Sequence, residues 1–177
     1  MIRLLPKGKF EYSPNLVSAN DPQQLSTLSV TGGGAAYSFT KKRHELSEWS
    51  EIALQDGKFF SGFAGGVLGF MANLGDVPLE GISLKTAGVA DLQDAGRPKS
   101  RAEAVQQSQR NSHGFTAGSV TYYSVLPGVP GSTYVLRSVA EGRADVLIAF
   151  RLCRQDEDGS SIILWKLLKK TSAPLLK

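Results

Sequence analysis

The sequence is poor in the residues that most often form metal sites and covalent cross-links. It contains one cysteine, Cys153, and two histidines, His44 and His113. A single cysteine cannot form a disulfide within the chain, and these three residues are too few for a standard structural zinc site. We therefore assign no metal and no other cofactor to the fold.

Long apolar runs are missing as well. No stretch of about 18 apolar residues occurs, so the sequence predicts no membrane span. Residues 1–7 are followed by no apolar core of about 7–15 residues, which a secretory signal requires. These patterns predict a soluble, cytoplasmic protein.

A large excess of charge of one sign is also absent. Charged residues make up 20% of the chain, and the net charge is +4. Residues 1–88 contain eight basic and eight acidic residues, whereas residues 89–177 contain twelve and eight. Dedicated nucleic-acid binders carry a much denser basic surface. We expect a protein or a small ligand as the partner rather than nucleic acid, and the oligomeric state stays open.

What the sequence does contain is typical of one folded domain. Its 177 residues are 41% hydrophobic, and many of its 19 glycines lie between short apolar runs. Length and composition of this kind suit a single domain with many tight turns. We predict one mainly β domain over residues 1–177.

The clearest strand pattern lies in the C-terminal third. From Val146 to Leu152, every second residue is apolar, and Arg151 lies on the other, more polar face. Such alternation is typical of a strand with one buried face. Residues 133–139 and 161–168 have strand composition on either side, and Asp158-Gly159 is a turn sequence. The three segments predict an antiparallel meander.

A second hairpin is predicted around Asp56-Gly57, because this dipeptide separates two strand-like segments, residues 51–55 and residues 58–63. A glycine-rich turn is expected between residues 62 and 69. Further strands are predicted at 35–40, 67–72 and 120–125, with weaker patterns at 9–13 and 25–30.

One segment has helical character. Ser100 and Glu103 have the spacing of a capping box, and good helix formers continue to Gln109. The sequence predicts one short helix near residues 100–109, within a long connection from about residue 90 to residue 118.

About eight to ten short strands with one helix favour an antiparallel β-sandwich of jelly-roll-like type. A closed β-barrel is the alternative. Residues 162–168 are apolar on both sides of the predicted strand, which favours packed layers over a barrel with a solvated outer face.

Catalytic motifs are not recognisable. The glycine-rich stretch lacks the spacing of a phosphate-binding loop. His113 in the long connection is a candidate base or acid, with Asp76 or Asp145 as its carboxylate partner, and this set is the basis of a hydrolase hypothesis. His44 follows three cations, whose charges favour a lowered pKa, and we interpret it as part of a solvated loop.

Two arginines, Arg137 and Arg151, lie within predicted strands rather than turns. A buried arginine needs an acid, and Asp145 and Glu141 are the partners expected from the chain order. The alternative is that one arginine binds an anionic group on a concave surface, with Tyr122 on the same face.

The leading hypothesis is a non-catalytic binding or structural β-sandwich domain, because the sequence has the pattern of a packed β domain without a catalytic motif. Two alternatives stay open: a hydrolase with its site around His113, and a β-barrel that binds a small apolar molecule.

Overall fold

The structure is a computed structural model, which describes residues 1–18, 24–63, 67–93, 97–173 and 175. In these ranges it has fourteen β-strands, one α-helix and one short 3₁₀ helix. The helix is α1 (Arg101–His113), and the 3₁₀ helix is Leu79–Gly81. The strands are β1 (Ile2–Leu4), β2 (Ser13–Val17), β3 (Val30–Gly33), β4 (Ala36–Ser38), β5 (Arg43–His44), β6 (Ile52–Gln55), β7 (Lys58–Phe60), β8 (Val67–Asn73), β9 (Phe115–Ala117), β10 (Val120–Tyr122), β11 (Val125–Pro127), β12 (Thr133–Ala140), β13 (Ala144–Gln155) and β14 (Ser161–Thr171).

Ten strands belong to two five-stranded antiparallel sheets. The main sheet has the order β1-β14-β13-β12-β8, and the second sheet has the order β11-β7-β6-β4-β5. Two further antiparallel pairs are β2–β3 and β9–β10. The mainly β prediction is confirmed, and so is the C-terminal meander, which consists of β12, β13 and β14.

The two sheets pack face to face through a shared hydrophobic core. Phe59 of the second sheet lies 5.4 Å from Tyr134 and 5.1 Å from Phe150 of the main sheet, measured between ring centroids. All three side chains are completely buried. The sandwich prediction is confirmed. The closed-barrel alternative is wrong, because in the described residues the sheets are separate and side chains fill the space between them.

The opposite face of the main sheet is covered as well. Even-numbered residues of β13 from Val146 to Leu152 face the core shared with the second sheet, as predicted. Leu147 and Ala149 face a second cluster, which includes Tyr122 of β10. Much of this cluster comes from residues 74–93, which we call the covering segment. The long strands of the main sheet therefore bury both faces.

The predicted hairpin at Asp56-Gly57 is confirmed. Both turn residues have positive φ, 50° for Asp56 and 68° for Gly57, and Gln55 pairs with Lys58 across the turn. Two-residue turns of this kind match the natural twist of the strands they join.

The short strands differ from the predictions. The expected strands at 9–13 and 25–30 are displaced to β2 and β3, where Val17 pairs with Val30. The expected strand at 120–125 divides into β10, which pairs with β9, and β11, which joins the second sheet. Segments of three to five residues carry little periodic signal, so the partner strand decides where they lie.

Helix α1 begins where it was predicted and ends four residues later. The Ser100 hydroxyl accepts a hydrogen bond from the Glu103 amide at 3.2 Å, which is the expected cap. Because α1 continues to His113, that residue lies in a helix and not in a loop, contrary to the prediction. Residues 64–66 of the predicted glycine-rich turn and residues 94–96 of the predicted connection lie outside the described part.

One edge of the main sheet is only partly paired. Strand β1 pairs with residues 161–163, at the start of β14. In the described chain, the rest of β14 pairs with β13 alone, and this half carries Lys166, Lys169 and Lys170.

The aromatic core predicts a large effect of truncation. Replacing Phe150 with alanine removes the ring packed against Phe59 and Tyr134, and we expect the free energy of unfolding to fall by about 3–5 kcal/mol. Leu167→Ala, at a side chain that is 49% exposed on β14, should change it by less than about 0.5 kcal/mol. Urea unfolding measures both, and equal losses would contradict the packing described here.

Candidate functional site

Arg137 of β12 forms a buried ion pair with Asp145 of β13. Its Nε lies 3.1 Å from Oδ1 and its Nη2 lies 2.9 Å from Oδ2, so the guanidinium binds the carboxylate with two parallel hydrogen bonds. The side chains are 5% and 3% exposed. The register explains the contact: Arg137 pairs with Leu147, which places Asp145 diagonally across the ladder on the same face. Of the two acids expected as partners, the structure selects Asp145.

The same guanidinium binds the covering segment. Arg137 Nη1 donates to the carbonyl oxygen of Leu92 and, at 3.1 Å, to that of Gln93. Buried charge is tolerated only when its hydrogen-bonding groups are satisfied. Arg137 therefore connects two neighbouring strands to the chain that covers them.

A pocket of about 190 Å³ lies beside this ion pair, and we call it the Arg137 pocket. Leu92, Leu147 and Thr171 contribute to its walls. Among the described residues, three cations, Arg97, Arg137 and Lys169, and one acid, Asp145, line it.

Arg97 and Lys169 are the exposed cations of the pocket. Arg97, 49% exposed, donates to the Ser172 carbonyl at 2.7 Å and lies 3.9 Å from the Asp145 carboxylate. Lys169 Nζ donates to the neutral Gln93 side chain at 3.3 Å. The pocket can therefore present positive charge to a ligand. Sequence reasoning missed both residues, because they lie on segments far from β12 in the chain.

Arg151 does not line the Arg137 pocket. Its Nη2 lies 2.6 Å from Oδ1 of Asp76, and its Nη1 donates to the Val77 carbonyl at 3.0 Å. The Asp76 side chain is 86% exposed. This pair attaches the start of the covering segment to the main sheet.

Tyr122 is a core residue in the structure. It is completely buried, and its hydroxyl donates to the Gly88 carbonyl at 2.6 Å. Burial, with the negative charge of Asp91 in addition, raises the pKa of Tyr122 to about 12. The phenol stays protonated at neutral pH and fastens the covering segment, and it does not line the Arg137 pocket.

The structure does not bring together the residues of the hydrolase hypothesis. His113 is exposed, and its Nδ1 lies 3.2 Å from the hydroxyl of Ser112 and 3.0 Å from the carbonyl oxygen of Gln109. Among the described residues, no hydrogen bond or ion pair joins His113 to a carboxylate, while Asp76 and Asp145 bind arginines elsewhere. In the part of the chain that the structure describes, the Ser112–His113 contact has no acidic third member.

His44 is buried, which corrects its interpretation as a solvated loop residue. It is 8% exposed, Nδ1 donates to the Ala36 carbonyl at 3.2 Å, and Nε2 accepts from the Asn15 amide at 3.0 Å. Burial lowers the pKa of His44, and the hydrogen bond to Ala36 opposes this only in part. Lys41 and Arg43 both form ion pairs with Glu45, and burial rather than their charge sets the direction of the shift.

The turn at Asp158 is an ionic junction with the N-terminus. Its Oδ2 lies 2.6 Å from Arg3 Nη2 and 3.4 Å from Lys9 Nζ, and its Oδ1 accepts two hydrogen bonds from Ser160. Partial burial disfavours ionisation, but the hydrogen bonds from Ser160 and the two cations outweigh it and lower the pKa of Asp158 to about 2.

No family model, no curated protein and no solved structure matches the chain. Across the described ranges, no group of three or more His, Cys, Asp or Glu residues is placed to hold a metal ion. The one α-helix found there is too short and too polar to cross a membrane.

The buried ion pair predicts a specific loss of stability. In Asp145→Asn the charge of Arg137 stays buried without a counter-charge, and we expect the free energy of unfolding to fall by about 3–5 kcal/mol. Asp76→Asn makes the same chemical change at an exposed pair, for which we expect less than about 1 kcal/mol. Urea unfolding of both variants gives the comparison, and similar losses would show that burial of the pair does not matter.

Asp158 predicts a pH dependence. Its pKa in the folded chain is about 2, below the value of about 3.9 in an unfolded chain, so ionisation of this carboxyl favours folding. That contribution is complete above about pH 4 and disappears as the pH falls toward 2. Asp158→Asn should therefore be less stable than wild type at neutral pH, with a smaller decline between these pH values. Glu157→Gln, in the same turn, is the control and should follow the wild-type curve in thermal unfolding.

Proposed function

We propose that the protein is a non-catalytic β-sandwich domain that binds a small anion in the Arg137 pocket. The observation that carries the proposal is the unequal charge of the described lining residues, which include Arg97, Arg137 and Lys169 but one acid, Asp145. A phosphate or a carboxylate group has the charge and the acceptor atoms to bind the exposed cations Arg97 and Lys169.

The size of the pocket supports a small ligand. Pockets for drug-sized molecules and cofactors have volumes of about 300–1,000 Å³, and this one is about 190 Å³. Its floor is rigid, since Arg137 binds two strands and the covering segment at once. Arg97 and Lys169 lie on the exposed side, where they can meet an anion as it enters.

The arrangement of candidate catalytic groups supports binding over catalysis. A nucleophile, a base and an orienting group have to meet within hydrogen-bond reach. In the described chain, the contact between a hydroxyl and an imidazole is that of Ser112 with His113, at the end of α1 and not in the Arg137 pocket. The carboxylate of the pocket, Asp145, is bound to Arg137.

Titration with two anions tests the proposal. Inorganic phosphate and acetate are added separately to the full chain, and amide shifts are followed by NMR. We expect saturable shifts at Lys169 and Thr171 that weaken as the ionic strength rises, because exposed charges are screened by salt. Binding of phosphate alone would identify a phosphoryl ligand, and binding of acetate alone a carboxylate.

Two lysines on the same strand provide a matched pair of variants. Lys169 lies in the pocket, whereas Lys170 pairs with Val146 and projects from the opposite face of the sheet. Lys169→Glu should weaken anion binding at least about tenfold, since a charged hydrogen bond contributes about 1.5–3 kcal/mol. Lys170→Glu should bind like wild type. The proposal is wrong if neither anion gives saturable shifts or if both variants lose binding equally.

A further inference from the structure

A second cleft, unrelated to the Arg137 pocket, lies where α1 meets the second sheet. It has a volume of about 240 Å³, and we call it the Asn111 cleft. Helix α1 contributes Ser108, Asn111 and Ser112, and the strands and turns opposite contribute Phe60, Phe63 and Ser124. No charged side chain is among its described lining residues.

Asn111 is the unusual residue of this cleft. It is 2% exposed, and its Nδ2 has no hydrogen-bond partner among the residues that the structure describes. Leaving a buried amide donor unpaired destabilises a fold by about 1–3 kcal/mol. An unpaired donor in a concave wall is therefore a position at which a ligand acceptor is favoured.

The backbone of Asn111 is well fixed. Its carbonyl oxygen accepts the amide of Ser124 at 2.9 Å, and the Ser124 carbonyl in turn accepts the amide of Ser61 at 2.9 Å. The backbone that carries the donor is thus hydrogen-bonded to Ser124, between β10 and β11, and through Ser124 to Ser61, which follows β7.

Further polar groups surround the donor. Within the described chain, the hydroxyls of Ser108 and Ser124 make no hydrogen bond, and each can donate or accept. The Ser112 hydroxyl donates to the Gln109 carbonyl at 2.7 Å, so its oxygen can still accept. The cleft offers neutral donors and acceptors in several directions.

Two phenyl rings, those of Phe60 and Phe63, also line the cleft, together with Gly69 and Val125. Phe63 is 37% exposed. Exposed aromatic rings beside polar groups suit a ligand with one apolar face and a polar periphery.

From this combination we infer that the Asn111 cleft binds a neutral monosaccharide. A pyranose ring has an apolar face of C–H bonds for the phenyl rings, and its hydroxyl groups both accept from Asn111 Nδ2 and exchange hydrogen bonds with the serines. The uncharged lining disfavours an anion or a cation, because a buried charge without a partner is strongly destabilising. The volume is below the usual range for drug-sized ligands, about 300–1,000 Å³, and suits a single sugar ring.

Binding of D-glucose, D-galactose and D-mannose to the full chain tests the inference, with saturation-transfer NMR as the readout. We expect at least one of the three to give saturable transfer that inorganic phosphate does not displace. This readout is independent of the Arg137 pocket, so either proposal can fail alone.

The variant Asn111→Leu separates binding from stability. Leucine has a similar volume and no donor, so we expect sugar binding at least about tenfold weaker and a melting temperature no lower than that of wild type. Gln109→Leu makes a similar change on the exposed side of α1 and should bind like wild type. Phe63→Ala, at a partly exposed ring, should weaken binding without unfolding the chain.

Three results would overturn the inference. The first is no saturable transfer from any of the three sugars. The second is a lower melting temperature for Asn111→Leu, which would mean that the amide has a partner within the protein. The third is an equal loss of binding in Asn111→Leu and Gln109→Leu.

Discussion

Both faces of the main sheet are buried, one by the second sheet and the other largely by the covering segment. The charged side chain of Arg137 is buried on the second of these faces, against the covering segment. A guanidinium in such a place is tolerated only with a counter-charge and acceptors for its N–H groups. Asp145 supplies the first, and the carbonyl groups of Leu92 and Gln93 supply acceptors. A slip of β12 by one residue would turn Arg137 toward the aromatic core. Arg137 therefore links the register of β12 to the position of the end of the covering segment, whose other parts are held by Tyr122 and Arg151.

The parts of the fold that the sequence predicted are those with a strong local signal. The alternation from Val146 to Leu152 extends over several residues, and Asp56-Gly57 favours a two-residue hairpin turn. The strand and the hairpin could therefore be predicted without knowledge of distant contacts. The ion pair of Arg137 with Asp145 was also accessible, because both residues lie near one hairpin. Local information gave a wrong prediction for His44. Its neighbours in sequence are cations, which suggested a solvated loop, but the residue pairs with Tyr37 and is buried. The limits of β2, β3, β10 and β11 depend likewise on partners remote in sequence.

The two candidate sites were not predictable for a related reason. Arg97, Arg137 and Lys169 come from three separate segments, and only the folded sheet places them around one pocket. Asn111 lies on a helix with few apolar residues, and nothing in the sequence distinguishes its amide from the polar groups that face water. The described linings of the two candidate sites differ in charge, since that of the Arg137 pocket has three cations and one acid, whereas that of the Asn111 cleft has no charged side chain.

The partly paired edge of the main sheet has a consequence for association between molecules. An open strand edge offers unpaired N–H and C=O groups to any extended chain, and lysines along such an edge discourage that pairing. On β14, Lys166, Lys169 and Lys170 fall in the half that β1 leaves uncovered. A second molecule that added its own β14 to this edge would bring two rows of ammonium groups together. Strand β14, which contributes Lys169 to the Arg137 pocket, is thereby also protected against edge-to-edge pairing between two copies of the chain.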